Sequence, residues 1–152
     1  MIIERIYICP VHGGVQVECE QVALEAGRGI VGDRSFGKNA YPGQSVTLVE
    51  AEEIERFCVE QGRPVDLAMT RRNLVTRGVR LNALMGKEFS VGTAKLKGVD
   101  LCEPCSALGD RLADTALAPA DVVRRWVGRA GLLAEVLASG VIEPGARIEA
   151  GD

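Results

Sequence analysis

Val15-Gln16-Val17-Glu18-Cys19 alternates apolar and polar side chains without a break, the clearest such run in the chain. Period-two alternation places every second residue on one face of a strand, so the run reads as part of a strand from Gly14 to Leu24. Outward from it the same pattern recurs in short pieces: Ile2 to Cys9, Gln44 to Val49, Asn73 to Thr76, Glu88 to Val91, Ala94 to Leu101, Leu132 to Leu137 and Arg147 to Ala150. Gly131 to Ala150 as a whole reads as a closing hairpin. Eighteen glycines supply corners between these runs. Helices are few. Glu50 to Gln61 carries Ile54, Phe57 and Cys58 on one face and stops at Gly62 before Pro64, and Pro119 to Arg129 opens on a proline, which suits a first helical turn. Ser106 to Leu112 is at best a short helix. The class is therefore mainly β with few helices (α+β), a closed or partly open barrel with short peripheral helices.

The 152 residues show no Pro- or Ser-rich linker and read as one domain, residues 1–152. A net charge of -3 argues against nucleic acid as a partner, because neutralising phosphates needs a basic surface. No apolar run of membrane-spanning length and no signal-like start is found, so the expected location is cytoplasmic, with no membrane association. In that reducing setting the five cysteines are expected to be mostly free thiols. Cys9, Cys19 and Cys58 sit within apolar patterns and read as core. Trp126, on the apolar side of its helix, reads as a packing anchor.

Three polar clusters interrupt the apolar scaffold. Glu25 to Arg34 is a glycine-rich bend ending in Asp33-Arg34; such bends turn amide protons onto anions, or are plain bulged corners. Thr70-Arg71-Arg72-Asn73 precedes a strand, and alternation puts Arg71 and Asn73 on one face with Arg72 on the other. An arginine and a carboxamide two apart suit a phosphate with a neighbouring ring amide, or form a solvated strand end. The third is Cys102-Glu103-Pro104-Cys105. Pro104 stiffens the approach, so Cys105 is expected at the tip of a rigid turn. A zinc half-site, a dithiol redox couple, a persulfide carrier, a ligand to a softer metal and two ordinary buried thiols all remain open.

In this order the three clusters resemble the MOSC family, the domain related to the C-terminal part of molybdenum cofactor sulfurases. Gly29-Ile30-Val31-Gly32-Asp33-Arg34 is similar to its Gly-x-x-Gly-Asp-Arg corner, Arg71-Arg72-Asn73 to its Arg-x-Asn strand start, and Cys102-Glu103-Pro104-Cys105 to its cysteine turn. The likeness runs from about Val15 to Ile148 and implies a stand-alone small bacterial member. It implies a MOSC-type β-barrel that binds molybdenum cofactor (molybdopterin) or a related anionic small molecule, or passes persulfide sulfur to a metal-sulfur centre or cofactor. Cys105 is implied as the catalytic thiol and the thiolate to the metal. Arg34 and Arg71 are implied as cofactor contacts, with Asp33, Gly32, Ser45 and Asn73 beside them. A small molybdenum-dependent oxidoreductase is the alternative, and a zinc-binding or cofactor-delivery adaptor without catalysis the second. No pyridoxal-phosphate site of its own is expected, so a pyridoxal-phosphate-dependent cysteine desulfurase would supply sulfur and an acceptor protein would take it.

Overall fold

The computed structural model describes residues 1–151. Strands β1 (Ile2–Ile8), β2 (Val17–Glu18), β3 (Val22–Glu25), β4 (Gly29–Ile30) and β5 (Val46–Glu50) lead into helix α1 (Ala51–Gln61). There follow β6 (Leu74–Arg77), a 3-10 turn at Leu81–Leu84, β7 (Glu88–Val91), β8 (Ala94–Leu101), α2 (Ser106–Leu112), α3 (Pro119–Trp126), β9 (Leu132–Ala138), β10 (Gly140–Ile142) and β11 (Ile148–Ala150). Eight strands form one curled sheet in the order β11-β7-β8-β9-β5-β6-β1-β2, and β10-β3-β4 form a small sheet beside it. The ends of the large sheet nearly meet. An isolated bridge joins Ile2 to Arg147, and the amide of Ile148 donates to the Met1 carbonyl at 2.9 Å. The result is the partly open barrel with short helices that the strand rhythm predicts.

Alternation along the strands builds two cores. Ile6, Leu48 and Leu74 point into the barrel with Phe89, Leu96 and Leu132. Their neighbours Tyr7, Val49 and Val75 point outward, under α1 and the α2-α3 pair, where Phe57, Leu108, Val122 and Trp126 cover them. Trp126 is 1% exposed and lies 5.4 Å, centroid to centroid, from the ring of Phe57, as a packing anchor should. Each strand near the site is thus held from both faces by apolar burial, at about 1.5 to 3 kcal/mol for each fully buried large side chain.

Three expectations are corrected. The run from Gly14 to Leu24 is not one strand. It divides into β2, which pairs with β1, and β3, which leaves for the small sheet; Val15 and Val17 face solvent, 81% and 45% exposed. The C-terminal stretch is not a hairpin, because β9 lies between β8 and β5 while β10 pairs with β3 and β11 with β7. The second helix ends at Trp126 rather than Arg129, with Gly128 at φ 75° in the turn that follows.

Candidate functional site

At the end of the barrel where β1 finishes and β6 begins lies a polar cavity of about 190 Å³, lined by residues that include Cys9, Asp33, Arg34, Arg71, Arg72 and Asn73. Its floor is built by Asn73. The amide of Thr47 and its hydroxyl both donate to Asn73 Oδ1 at 3.1 Å. Asn73 Nδ2 donates to the Tyr7 carbonyl at 3.2 Å and to Asp33 Oδ1 at 3.4 Å. One buried carboxamide thus ties β5, β6 and β1 together and anchors the corner at Asp33. A buried amide is tolerated when its bonds are made, and these are made inside the protein.

Asp33 is buried too. Its Oδ1 also accepts the Cys9 amide at 2.9 Å, and its Oδ2 accepts the Ser35 amide at 3.0 Å. The corner that carries it needs glycine at two points. Gly32 has φ 92°, where a side chain is strained, and at Gly29 a Cβ would lie 2.7 Å from that of Ser45. Gly32 and Ser45 therefore shape the corner and stand outside the cavity wall. Asp33 and Asn73 line the cavity, with their polar atoms bonded within the protein.

The guanidinium groups supply the positive charge of this cavity. Arg34 is exposed, its Nη1 donating to His12 Nδ1 at 3.1 Å. Arg71 has φ 60°, the one positive-φ residue other than glycine among those described. That backbone costs on the order of 1 to 2 kcal/mol for an L-residue, and such strain concentrates at functional sites. Its Nη2 donates to the Gly14 carbonyl at 2.6 Å and to Cys9 Sγ at 3.2 Å. Arg72 donates from Nε to the Ala130 carbonyl at 3.1 Å. Strand alternation separates Arg71 from Arg72; the left-handed turn at Arg71 cancels it, and both line the cavity.

Cys105 stands outside the cavity wall, exposed, at the residue preceding α2. Its thiol pKa is lowered, first by the Leu108 amide; burial is the next-largest effect and opposes it, and the Ala107 amide and the charges of Arg72 and Arg111 add to the lowering. No side-chain cap bond is closed there. Cys102 is its opposite: buried, its amide donating to the Gly131 carbonyl at 2.8 Å, and its thiol pushed up by desolvation. Arg72 connects the two places, since it lines the cavity and its charge reaches Cys105. Arg111 is shifted down by desolvation and by the nearness of Arg71 and Arg72, so these three arginines and Cys105 form one electrostatic neighbourhood. Among the described residues no group of three or more His, Cys, Asp or Glu side chains could hold a metal ion.

Across residues 11–149 the chain matches the MOSC domain. It belongs to the MOSC family. Solved structures share the fold of this MOSC domain: the YuaD protein from Bacillus subtilis, with a TM-score of 0.83 and 22% identity over 97% of this chain and 93% of that one. YiiM from Geobacillus stearothermophilus gives 0.73 and 19%, covering 99% and 75%. YiiM from Escherichia coli gives 0.71 and 20%, covering 100% and 70%. No curated protein matches this chain. No helix among the described residues is long and apolar enough to cross a membrane.

Sequence reasoning missed Arg72, Arg111 and Cys9 as residues of this candidate site. Cys9 reads as core and is buried, yet its sulfur is in the cavity wall. The contact with Arg71, 62 positions away, sets it apart from an ordinary core thiol and has no local signature in the sequence.

The opposed shifts give a direct expectation. A lowered pKa keeps thiolate present at lower pH, and the thiolate is the nucleophile. As pH rises, alkylation by iodoacetamide should therefore begin at Cys105, below the pH at which Cys19, Cys58 and Cys102, all shifted up by burial, begin to react. Peptide mass mapping at several pH values reads the order; modification of Cys102 before Cys105 would contradict it.

Proposed function

We propose that this MOSC domain binds the phosphate-bearing end of molybdenum cofactor, or of a related anionic pterin, in the arginine cavity and presents sulfur on Cys105. The observation that carries the reading is the convergence of Arg34 with Arg71 and Arg72, from segments 37 residues apart at Arg34 and Arg71, on one cavity. Guanidinium groups are the side chains best matched to a phosphate, and the buried Asp33 carboxylate, bonded to three internal donors, is held as part of the wall. About 190 Å³ is below the roughly 300 Å³ at which whole-ligand pockets begin, so the cavity suits the phosphate end, with the remainder of the group lying beyond its mouth. When bound, the cofactor supplies a sulfur-coordinated metal that accepts soft thiolate ligands.

What the chain itself contributes is position and charge. Arg34, Arg71 and Arg72 hold the anion, Asn73 and Asp33 fix the strands that carry them, and the Leu108 amide, with the Ala107 amide, Arg72 and Arg111, favours the Cys105 thiolate. In sulfur transfer that thiolate attacks the outer sulfur of a persulfide on a donor protein such as a cysteine desulfurase. One S–S bond forms at Cys105, one breaks in the donor, and the electron pair leaves with the donor thiolate, so no oxidant is required. Cys105 then passes the outer sulfur to an acceptor by the reverse displacement.

Titration with a phosphorylated pterin, followed by its fluorescence, tests the pocket. Arg34→Ala and Arg71→Ala should each weaken binding by about 1.5 to 3 kcal/mol, or roughly 10- to 150-fold, the range for hydrogen bonds to a charged group. Unchanged affinity in both variants would sink the reading.

A further inference from the structure

We propose that the groove at the other end of the barrel docks an acidic, partly apolar polypeptide segment of a partner protein. β1 lies between Met1, which lines this groove, and Cys9, which lines the arginine cavity, so seven strand residues, roughly 23 Å, separate the two. The groove encloses about 960 Å³, the largest cavity described in the molecule. Four cations line it, Arg80, Lys87, Lys95 and Lys97, against one carboxylate, Glu88. The chain has four lysines in all, and three are here, on a molecule whose net charge is -3. That segregation is what a general scatter of solubilising charges lacks.

Strand geometry fixes the spacing of these charges. Lys95 and Lys97 are successive outward residues of β8, about 7 Å apart along the strand. Lys87 lies beside them, its carbonyl accepting the Gly98 amide at 3.0 Å. Lys95 is paired with Glu88 at 3.0 Å and Arg80 reaches Glu50 at 3.9 Å, while Lys87 and Lys97 have no ion pair among the described residues. Ala83, Leu84 and Ala150 give the groove an apolar lining between the cations.

These features select the occupant. A cavity at the upper end of the range for small ligands, with two ammonium groups along β8 and a third just before β7, offers no single focus for one phosphate. Four cations are too few for a nucleic acid, whose tight binding rests on roughly 6 to 10 phosphate contacts. Carboxylates at every second position of an extended chain repeat at about 7 Å, the Lys95–Lys97 spacing, and apolar residues elsewhere in the segment match the lining.

Fluorescence anisotropy with a labelled peptide of alternating Glu and Leu tests the proposal on the full chain at low salt. Binding should weaken about tenfold in Lys87→Glu/Lys97→Glu, less in Lys87→Gln/Lys97→Gln, and fall with added salt. It should be unchanged in Arg34→Ala/Arg71→Ala. The Gln pair guards against the like-charge contact that Lys97→Glu makes with its cross-strand neighbour Glu88. Absence of binding, equal affinity in both lysine variants, or loss in the Arg34/Arg71 variant would overturn the proposal. So would tighter binding of a single-stranded oligonucleotide or of tripolyphosphate at equal charge.

Discussion

Cys105→Ser should abolish sulfur loading of this protein, and Cys102→Ser should leave most of it. Incubated with a cysteine desulfurase, its pyridoxal phosphate and cysteine, the wild-type chain should gain one sulfur atom on the Cys105 peptide by mass spectrometry. The asymmetry follows from exposure and charge. Cys105 is open to a partner and its thiolate is favoured by backbone amides and two arginines, whereas Cys102 is buried against the α2-α3 layer with its thiol pushed up. A serine at Cys102 keeps the Gly131 anchor, since that bond uses the backbone amide. Equal loss in the two variants would mean a chemistry that needs both sulfurs, such as a disulfide relay or a shared zinc site, and would refute the single-thiol account.

Asn73→Ala should destabilise the fold by about 3 to 5 kcal/mol. The side chain is buried and joins three strands, and its removal strands the Thr47 amide and the Tyr7 carbonyl, each at about 1 to 3 kcal/mol for an unsatisfied buried group. Asp33 loses one donor as well. Urea denaturation reads the change as a shift in midpoint at constant slope. By contrast Arg34→Ala, at an exposed residue, should stay within about 0.5 kcal/mol of wild type while losing anion affinity. If Asn73→Ala kept its stability and lost only ligand binding, the carboxamide would be a ligand contact rather than the support of the cavity floor.

Much of the fold is legible in the residues because alternation is a local signal. Ile6-Tyr7, Leu48-Val49 and Leu74-Val75 each divide between the two cores as a strand should. Partner choice is not local. Nothing within Leu132 to Ala150 says that β9 inserts between β8 and β5 while β10 and β11 pair elsewhere, so proximity in sequence reads as a hairpin. Val15-Gln16-Val17-Glu18-Cys19 misleads for a related reason: alternation requires a buried face, and this edge segment has only β1 beside it, so its valines stay in water.

The candidate site divides the same way. Its residue types are visible in the sequence because Gly-Asp-Arg, Arg-x-Asn and the cysteine turn are contiguous motifs. Their roles are not. That Asn73 and Asp33 spend their bonds on each other and on β1 and β5 depends on contacts spanning 24 to 66 positions. Alternation alone puts Arg72 on the wrong face, because one left-handed residue, Arg71, inverts it at the strand entrance.

The central claim is that the arginine cavity and Cys105 act as one anion- and sulfur-handling site. Pterin, molybdenum and zinc quantified per chain, in protein purified from a host that makes molybdenum cofactor, test it most directly. The account predicts pterin, with or without molybdenum, in wild type and in Arg80→Ala at the far groove, and its loss from Arg34→Ala/Arg71→Ala. Zinc in its place, or pterin retained when Arg34 and Arg71 are both gone, would contradict it.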